Sequence, residues 1–383
     1  MAGVAAKREE LTVAQLQLPA AHGVLPIANE FFAPPAQSEH YPRPKLRFVG
    51  SLTLPGHSMQ TIPSAIVPAQ IGEKHTQRFP CITIRWVSYP DGYLVPVERG
   101  KLVYDEQDLS YWQFHPERGR VWEEPADGGL CRAAFPFILT SRIENESYYG
   151  LATFLYGHGG QVSALRYQVV QQLANFLVRT RFVAAGQIRV ACDASLALHD
   201  TPAFRARLDR ELAEELPWRD WSDLAQQVGD NVLAGVDSGG DPSAIVAAGM
   251  VVDGVVYSRA FPTPFGTYPF PRQMRHGVWS CGKSLIGLVM SARLAQMYGP
   301  EILDVKIRDL VNVTAEHDGW DHVTLRHALS MATGTFCFFR IVFSMRSAGD
   351  LERVKNSVAR KIRLRRVSLA RLWCHYYRDW VGD

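Results

Sequence analysis

Residues 81–97 read CITIRWVSYPDGYLVPV and predict the β-rich character of the first half of the chain. Apolar and polar side chains alternate along residues 81–89, as they do on a strand with one buried face. Pro90, Asp91 and Gly92 then supply the residue types of a tight turn, and a second strand pattern follows. The stretch therefore predicts an antiparallel hairpin.

Further strand patterns continue from this hairpin. GKLVY, SYWQF and RVWEE follow at short intervals, so we predict a β-rich α+β domain of unknown role over residues 43–194. Within it, SALRYQVVQQLANFLVRTR (163–181) predicts a helix, and GHGG (157–160) fits a plain turn better than an oxyanion loop. The apolar residues that recur along the predicted helix are Leu165, Val169, Leu173 and Phe176.

Composition also separates the parts that flank this domain. Residues 1–42 are rich in Ala and Pro and predict a flexible arm, whereas the charged stretch 195–217 predicts a connector or surface helix. A helix is predicted over 221–235, and the pair Asp253-Gly254 predicts a hairpin between two apolar strands.

The overall composition excludes several classes of protein. The chain has 383 residues, of which 47% are hydrophobic and 21% charged, which indicates two or three folded domains. Residues 337–383 carry 11 Lys and Arg against 4 Asp and Glu, and the rest carries 30 against 34, so the main body shows no basic surface for nucleic acid. No signal peptide or transmembrane segment is readable, and the six Cys form no C-x-x-C pair, which argues against a zinc module or a disulfide scaffold.

The stretch HGVWSCGKSLIGLVMSARLAQMYGP (276–300) predicts a buried helix that starts at Ser280 and stops at Gly299-Pro300. Ser280 and Lys283 are three residues apart, which places both on one helical face in the first turn. The side predicted to be buried holds Leu285, Leu288, Val289 and Ala292.

This spacing suits nucleophilic catalysis. A serine hydroxyl attacks once a base removes its proton, and a lysine can be that base only when its amine is neutral. The ordinary lysine pKa is about 10.4, and burial and the positive end of the helix dipole both lower it. Ser280 and Lys283 are therefore candidate catalytic residues, and the backbone N–H of Ser280 is a candidate oxyanion donor. Taken alone, the tetrapeptide also fits an N-cap serine followed by a lysine on the helix flank.

A second block, WDHVTLRHALSMATG (320–334), follows downstream. The chain thus has a hairpin, then S-x-x-K, then this block. This order resembles that of class C β-lactamases and related penicillin-binding esterases, in which a VTIRHLLSHTSG-like run follows the nucleophile helix. The resemblance implies that Ser280 is the acylated nucleophile, that Lys283 is its general base, and that residues 218–336 form part of a β-lactamase/transpeptidase-like α/β domain. It implies no metal and no organic cofactor.

Three histidines lie in or near the second block, at 317, 322 and 327. The resemblance gives the block a structural role, so we assign no catalysis to His327. The five-residue spacing of the three side chains puts them on different helix faces and does not favour a metal site.

The resemblance stops at residue 336. The family's later motifs, Y-x-N or S-x-N and K-T-G or H-x-G, do not occur in residues 337–383. We therefore expect a truncated hydrolase domain and a basic tail at 337–383 that is foreign to the fold. The alternative for the tail is a basic amphipathic helix that contacts an anionic membrane surface.

The principal hypothesis is a serine hydrolase that cleaves a small ester, amide or β-lactam through a Ser280 acyl-enzyme, with activity impaired by the missing motifs. The alternative is a non-catalytic binding or scaffold protein, whose role lies in residues 43–194 and whose hydrolase half is degenerate. Neither hypothesis involves nucleic acid. Substrate identity, oligomeric state and localisation stay open.

Overall fold

The structure is a computed structural model that combines a large curled antiparallel sheet with helices in a mixed α/β arrangement. The chain divides into two compact units, Met1–Gly277 and Val278–Asp383. The structure describes residues 9–19, 24–35, 44–61, 78–100, 103–105, 110–142, 147–173, 182–193, 201–233, 245–276, 281–311 and 319–334.

The strands of the described residues all lie in the first unit. They are β1 Val49–Leu54, β2 His57–Ser58, β3 Gln60–Thr61, β4 Arg78–Phe79, β5 Ile82–Ser88, β6 Tyr93–Pro96, β7 Trp112–Pro116, β8 Gly119–Glu123, β9 Cys131–Ser141, β10 Ser147–Tyr156, β11 Leu165–Leu173, β12 Ala184–Ile188, β13 Ala191–Asp193, β14 Trp218–Asp220, β15 Gly249–Val252, β16 Val255–Ser258, β17 Pro262–Thr263 and β18 Gly266–Thr267.

Helices are short in both units. The α-helices are α1 Val13–Gln17, α2 Pro202–Glu214, α3 Trp221–Val228, α4 Asp230–Leu233, α5 Val289–Tyr298, α6 Ile307–Leu310 and α7 Leu325–Leu329. A π-helical segment covers Lys283–Leu288, and 3₁₀ turns cover Asn29–Phe32, Pro125–Asp127, His158–Gly160, Pro271–Gln273 and Pro300–Asp304. Among the described residues, no helix is both long and apolar enough to cross a membrane.

The main sheet has eleven strands in the order β13-β1-β5-β6-β8-β9-β10-β11-β12-β3, with β7 also paired to β9. A smaller sheet has the order β14-β16-β15, and β2 with β4 and β17 with β18 form two-stranded ladders. The predicted hairpin at 81–97 is confirmed as β5–β6. The predicted Asp253-Gly254 hairpin is confirmed as β15–β16, with both turn residues at positive φ (47° and 77°) as a type I′ turn requires.

Strand β9 shows how the main sheet is packed on both faces. Phe135 and Phe137 point into one hydrophobic core, whereas Ala134 and Ile138 belong to a second core on the opposite face. Successive side chains on a strand alternate between faces, so a strand buried on both sides needs apolar residues at nearly every position. That requirement explains the continuous apolar run at 133–139.

The helix predicted over 163–181 is wrong: its first half is strand β11, and residues 174–181 lie outside the described residues. Leu165, Tyr167 and Val169 occupy alternate positions and all face the first core. On the other face, Gln168 bonds through its amide group to both backbone groups of Ile27, with N···O distances of 3.0 Å. Arg166, at another even position, donates to the carbonyl of Leu25, so both polar side chains bond to the N-terminal part of the chain.

The described parts of the predicted flexible arm are docked on the sheet. We call residues 9–19 and 24–35 the N-terminal strap. Leu11, Leu16 and Phe32 of the strap are at most 4% exposed and join the second core. The N-terminus of helix α1 is capped by a capping box, in which the side chains of Thr12 and Gln15 accept hydrogen bonds from each other's backbone N–H groups. Apolar burial at three positions outweighs the Ala- and Pro-rich composition that suggested a linker.

The division between the units also differs from the predicted boundary at residue 218. Phe261, Tyr268, Phe270 and Met274 pack in the second core, together with the N-terminal strap. Residues 218–276 therefore belong to the sheet-containing unit. The predicted connector at 195–217 contains α2, whose Leu208 is fully buried against the β5–β6 hairpin.

Candidate functional site

The helix that carries Lys283 follows the predicted course. Helical structure is described from Cys281 onward, passes through the π-helical segment Lys283–Leu288 and continues as α5. Gly299, at φ 92°, ends it, and Pro300 opens the next 3₁₀ turn. Ser280, the candidate nucleophile, lies outside the described residues.

The predicted burial of this helix is contradicted. Leu285 and Leu288 are each 58% exposed, Val289 is 62% exposed, and Ala292 and Lys283 are exposed as well. An apolar stripe can be buried only against an opposing element. The described neighbours in this unit are the 3₁₀ turn at 300–304 and the short helix α7, which leave the stripe open. The exposed position of Lys283 does not supply the desolvation that a neutral lysine requires.

In the second unit, the second block contains the capped helix α7 and the contacts that hold it. Thr324 caps α7: its hydroxyl accepts from the backbone N–H of His327, and the His327 ring accepts from the backbone N–H of Thr324, both at 3.2 Å. Val323 is fully buried, and Arg326 makes a two-pronged ion pair with Asp304 at 2.6 and 2.9 Å. This geometry fits the structural role expected for the block.

The hydrogen bond from Arg326 keeps the pKa of the Asp304 carboxyl below its ordinary value. His322 and His327 face each other with ring centroids 6.4 Å apart, and His317 lies outside the described residues. Within the described ranges, no group of three or more His, Cys, Asp or Glu residues has an arrangement that could hold a metal ion.

A polar cluster holds the end of the first unit, a few residues before Ser280. Glu117 is 7% exposed and accepts hydrogen bonds from Arg275 Nε (2.7 Å), while its Oε1 lies 2.8 Å from His115 Nε2. Burial raises the pKa of Glu117, but the hydrogen bonds from His115 and Arg275 outweigh it, so the pKa lies below the ordinary value. The carboxylate is therefore held charged in a nearly buried position.

The adjacent residue, His276, is tied to strand β10. Its Nδ1 lies 2.9 Å from the hydroxyl of Tyr149, and the two rings meet edge to face. Burial lowers the pKa of His276 and raises that of Tyr149, which favours the neutral forms of both groups. Together with the Arg275–Glu117 pair, this contact fixes the backbone at 275–276.

No pattern in the sequence predicts this cluster. Arg275 is 158 positions from Glu117, and His276 is 127 positions from Tyr149, so no local spacing connects them. The GHGG stretch, by contrast, behaves as predicted: it forms a tight turn in which the backbone N–H of Gly157 donates to the carbonyl of Gln161.

Comparison of the chain with models of protein families, with characterised proteins and with solved structures finds no match. The likeness of residues 218–336 to β-lactamase-like hydrolases thus stays a prediction.

Proposed function

We propose that the chain carries the acyl-transfer site of a serine hydrolase, with Ser280 as nucleophile and Lys283 as general base. The observation that supports this proposal is the helical structure over residues 281–298, which is described from the residue after Ser280 onward and includes Lys283. The hairpin at 249–258 precedes this helix and the capped helix α7 follows it. The segments thus occur in the order on which the resemblance rests.

The reaction would proceed through a covalent intermediate. The Ser280 hydroxyl oxygen attacks the carbonyl carbon of an ester, amide or β-lactam, and its proton passes to the neutral amine of Lys283. Collapse of the tetrahedral intermediate breaks the bond to the leaving group, which takes up a proton, and water then releases the acid and restores Ser280. The first helical turn would offer backbone N–H groups to the oxyanion.

Efficient turnover needs more than this pair. Lys283 becomes an effective base only where water is excluded, because desolvation disfavours the ammonium form. Its side chain is exposed in the described part of the second unit. Residues 337–383 also lack the motifs expected to supply a second oxyanion donor, and the loss of one such donor typically costs about 10²–10³ in rate. The proposal therefore includes slow acylation.

Covalent labelling tests the proposal directly. The full chain is incubated with a fluorophosphonate probe, and the modified residue is mapped by mass spectrometry. We expect slow labelling at Ser280 that Ser280→Ala abolishes. Ser284→Ala is the matched control, because this serine lies in the same helix one position after Lys283, and it should label like the parent chain.

The role of Lys283 is tested by Lys283→Arg. An arginine keeps the positive charge but cannot accept the proton, so labelling should slow by about 10²-fold or more. Labelling that survives Ser280→Ala, or that maps to another residue, contradicts the proposal. Complete absence of labelling would favour the alternative, a non-catalytic binding protein.

A further inference from the structure

The first unit contains a cavity of about 360 Å³ beside the GHGG turn. One wall is the end of strand β10 and the segment that follows the turn, residues 161–164. The end of the N-terminal strap, residues 17–19, and the turn between β12 and β13, residues 189–190, also line the cavity, which is partly open to solvent. The volume lies in the range that holds a small molecule.

The walls are held by hydrogen bonds that a ligand would not need to break. The backbone N–H of Leu155 donates to the Ser163 hydroxyl at 2.9 Å, and that hydroxyl donates to the carbonyl of Ala164 at 2.8 Å. The side-chain amide of Gln187 donates to the carbonyls of Gln15 and Leu18, at 2.8 and 3.0 Å, and so ties down the strap. The cavity is thus preformed, and its wall hydroxyl is already satisfied.

The lining mixes apolar and polar side chains, and several of its residues lie at the exposed rim. The apolar side chains are Leu18, Leu130, Leu155, Val162 and Val190. The exposed rim residues include Gln17, Gln161 and Arg189. Among the described residues that line the cavity, Arg189 carries the one charged side chain and none is acidic.

We infer that this cavity binds a small carboxylate with an apolar tail. The tail would lie against the apolar wall, where it leaves water, and the carboxylate would pair with the Arg189 guanidinium at the rim. An amine would meet no negative partner there, and a short acid such as acetate would leave the apolar wall uncovered. The inference rests on the first unit alone and is independent of the proposed hydrolase.

Calorimetric titration of the full chain tests the inference with octanoate as the probe. We expect saturable binding of one octanoate per chain. Octanamide, which keeps the tail but loses the charge, and acetate, which keeps the charge but loses the tail, should each bind at least about tenfold more weakly.

The site is located by Arg189→Gln, which should weaken octanoate binding about tenfold. Arg189 is exposed, so this variant should fold. Arg219→Gln, which removes an equally exposed arginine on strand β14, is the matched control and should bind octanoate like the parent chain. Equal affinities for octanoate and octanamide, or unchanged octanoate binding by Arg189→Gln, would overturn the inference.

Discussion

In the first unit both faces of the main sheet are covered by other parts of the chain, whereas in the second unit α5 and the π-helical segment before it expose their apolar side chains. Leu139 of β9 is fully buried, and Leu288 is 58% exposed. Burial of a leucine side chain contributes about 1.5–3 kcal/mol, and only where another layer removes it from water. An apolar stripe therefore indicates which face can be buried, and the stabilisation depends on the layer that covers it.

Paired leucine substitutions give the largest expected effect and test this comparison most directly. Leu139→Ala should lower the free energy of unfolding by about 2–5 kcal/mol, because it leaves a cavity in a packed core. Leu288→Ala should change it by less than about 0.5 kcal/mol, since this side chain is already largely hydrated. The measurement is urea unfolding of the full chain followed by far-UV circular dichroism.

An equally large effect of Leu288→Ala would break the comparison. It would mean that another layer covers the helix in solution, which is the arrangement that activation of Lys283 requires.

Asn29→Ala sharpens the comparison because it tests how much the N-terminal strap, which covers one face of the main sheet, contributes to stability. Asn29 is fully buried: its side-chain N–H groups donate to Thr263 Oγ1 and to the carbonyl of Gly266, at 2.8 and 3.1 Å, and its Oδ1 accepts from Gln168 Nε2 at 2.8 Å. Truncation removes all three hydrogen bonds of this fully buried side chain and takes one acceptor from the buried amide of Gln168, so the free energy of unfolding should fall by about 1–3 kcal/mol.

The control for this substitution is Asn231→Ala, because Asn231 is exposed on α4. If both variants unfold at the same urea concentration as the parent chain, the strap does not contribute to stability and its docking is not part of the folded core.

Glu117→Gln should have the smallest effect, and that effect should depend on pH. The pKa of Glu117 is lower in the folded chain than its ordinary value of 4.5, so the charged carboxylate stabilises the fold above about pH 4.5. This contribution is lost as the pH falls through the lower, folded-state pKa. At pH 7 the substitution should cost about 1 kcal/mol, because the partner Arg275 is itself largely exposed.

Urea midpoints of the parent chain and Glu117→Gln at pH 7, 5, 4 and 3 check this expectation. The difference between them should shrink toward pH 3. The exposed residue Glu30, changed to Gln, controls for the loss of a negative charge. A difference that stays constant or grows on acidification contradicts the assignment.

Local signals in the sequence were sufficient to predict several elements of the fold. The turn residues Asp253 and Gly254 predicted their hairpin, and Gly299 predicted the end of its helix, because each of these signals acts within a few residues. Strand β11 could not be recognised in this way. Its buried Gln168 is satisfied by Ile27 and Asn29 of the strap, about 140 positions earlier in the chain.

In the candidate site, too, some features follow from local sequence and others depend on distant parts of the chain. The helix that bears Lys283 was predicted from periodicity and stop signals, but its exposure depends on a covering layer that periodicity does not describe. The cluster of Glu117, Arg275 and His276 has no sequence signature, since it exists only once the sheet has formed.

The contact between Asn29 and Thr263 also bears on how the protein is made. The two residues are 234 positions apart, so Asn29 leaves the ribosome long before its partner exists. At about 5–20 residues per second, that interval is roughly ten to fifty seconds. Until then the second core lacks Phe261, Tyr268 and Phe270, so a chaperone that shields the partly covered sheet face would have its greatest effect in that interval.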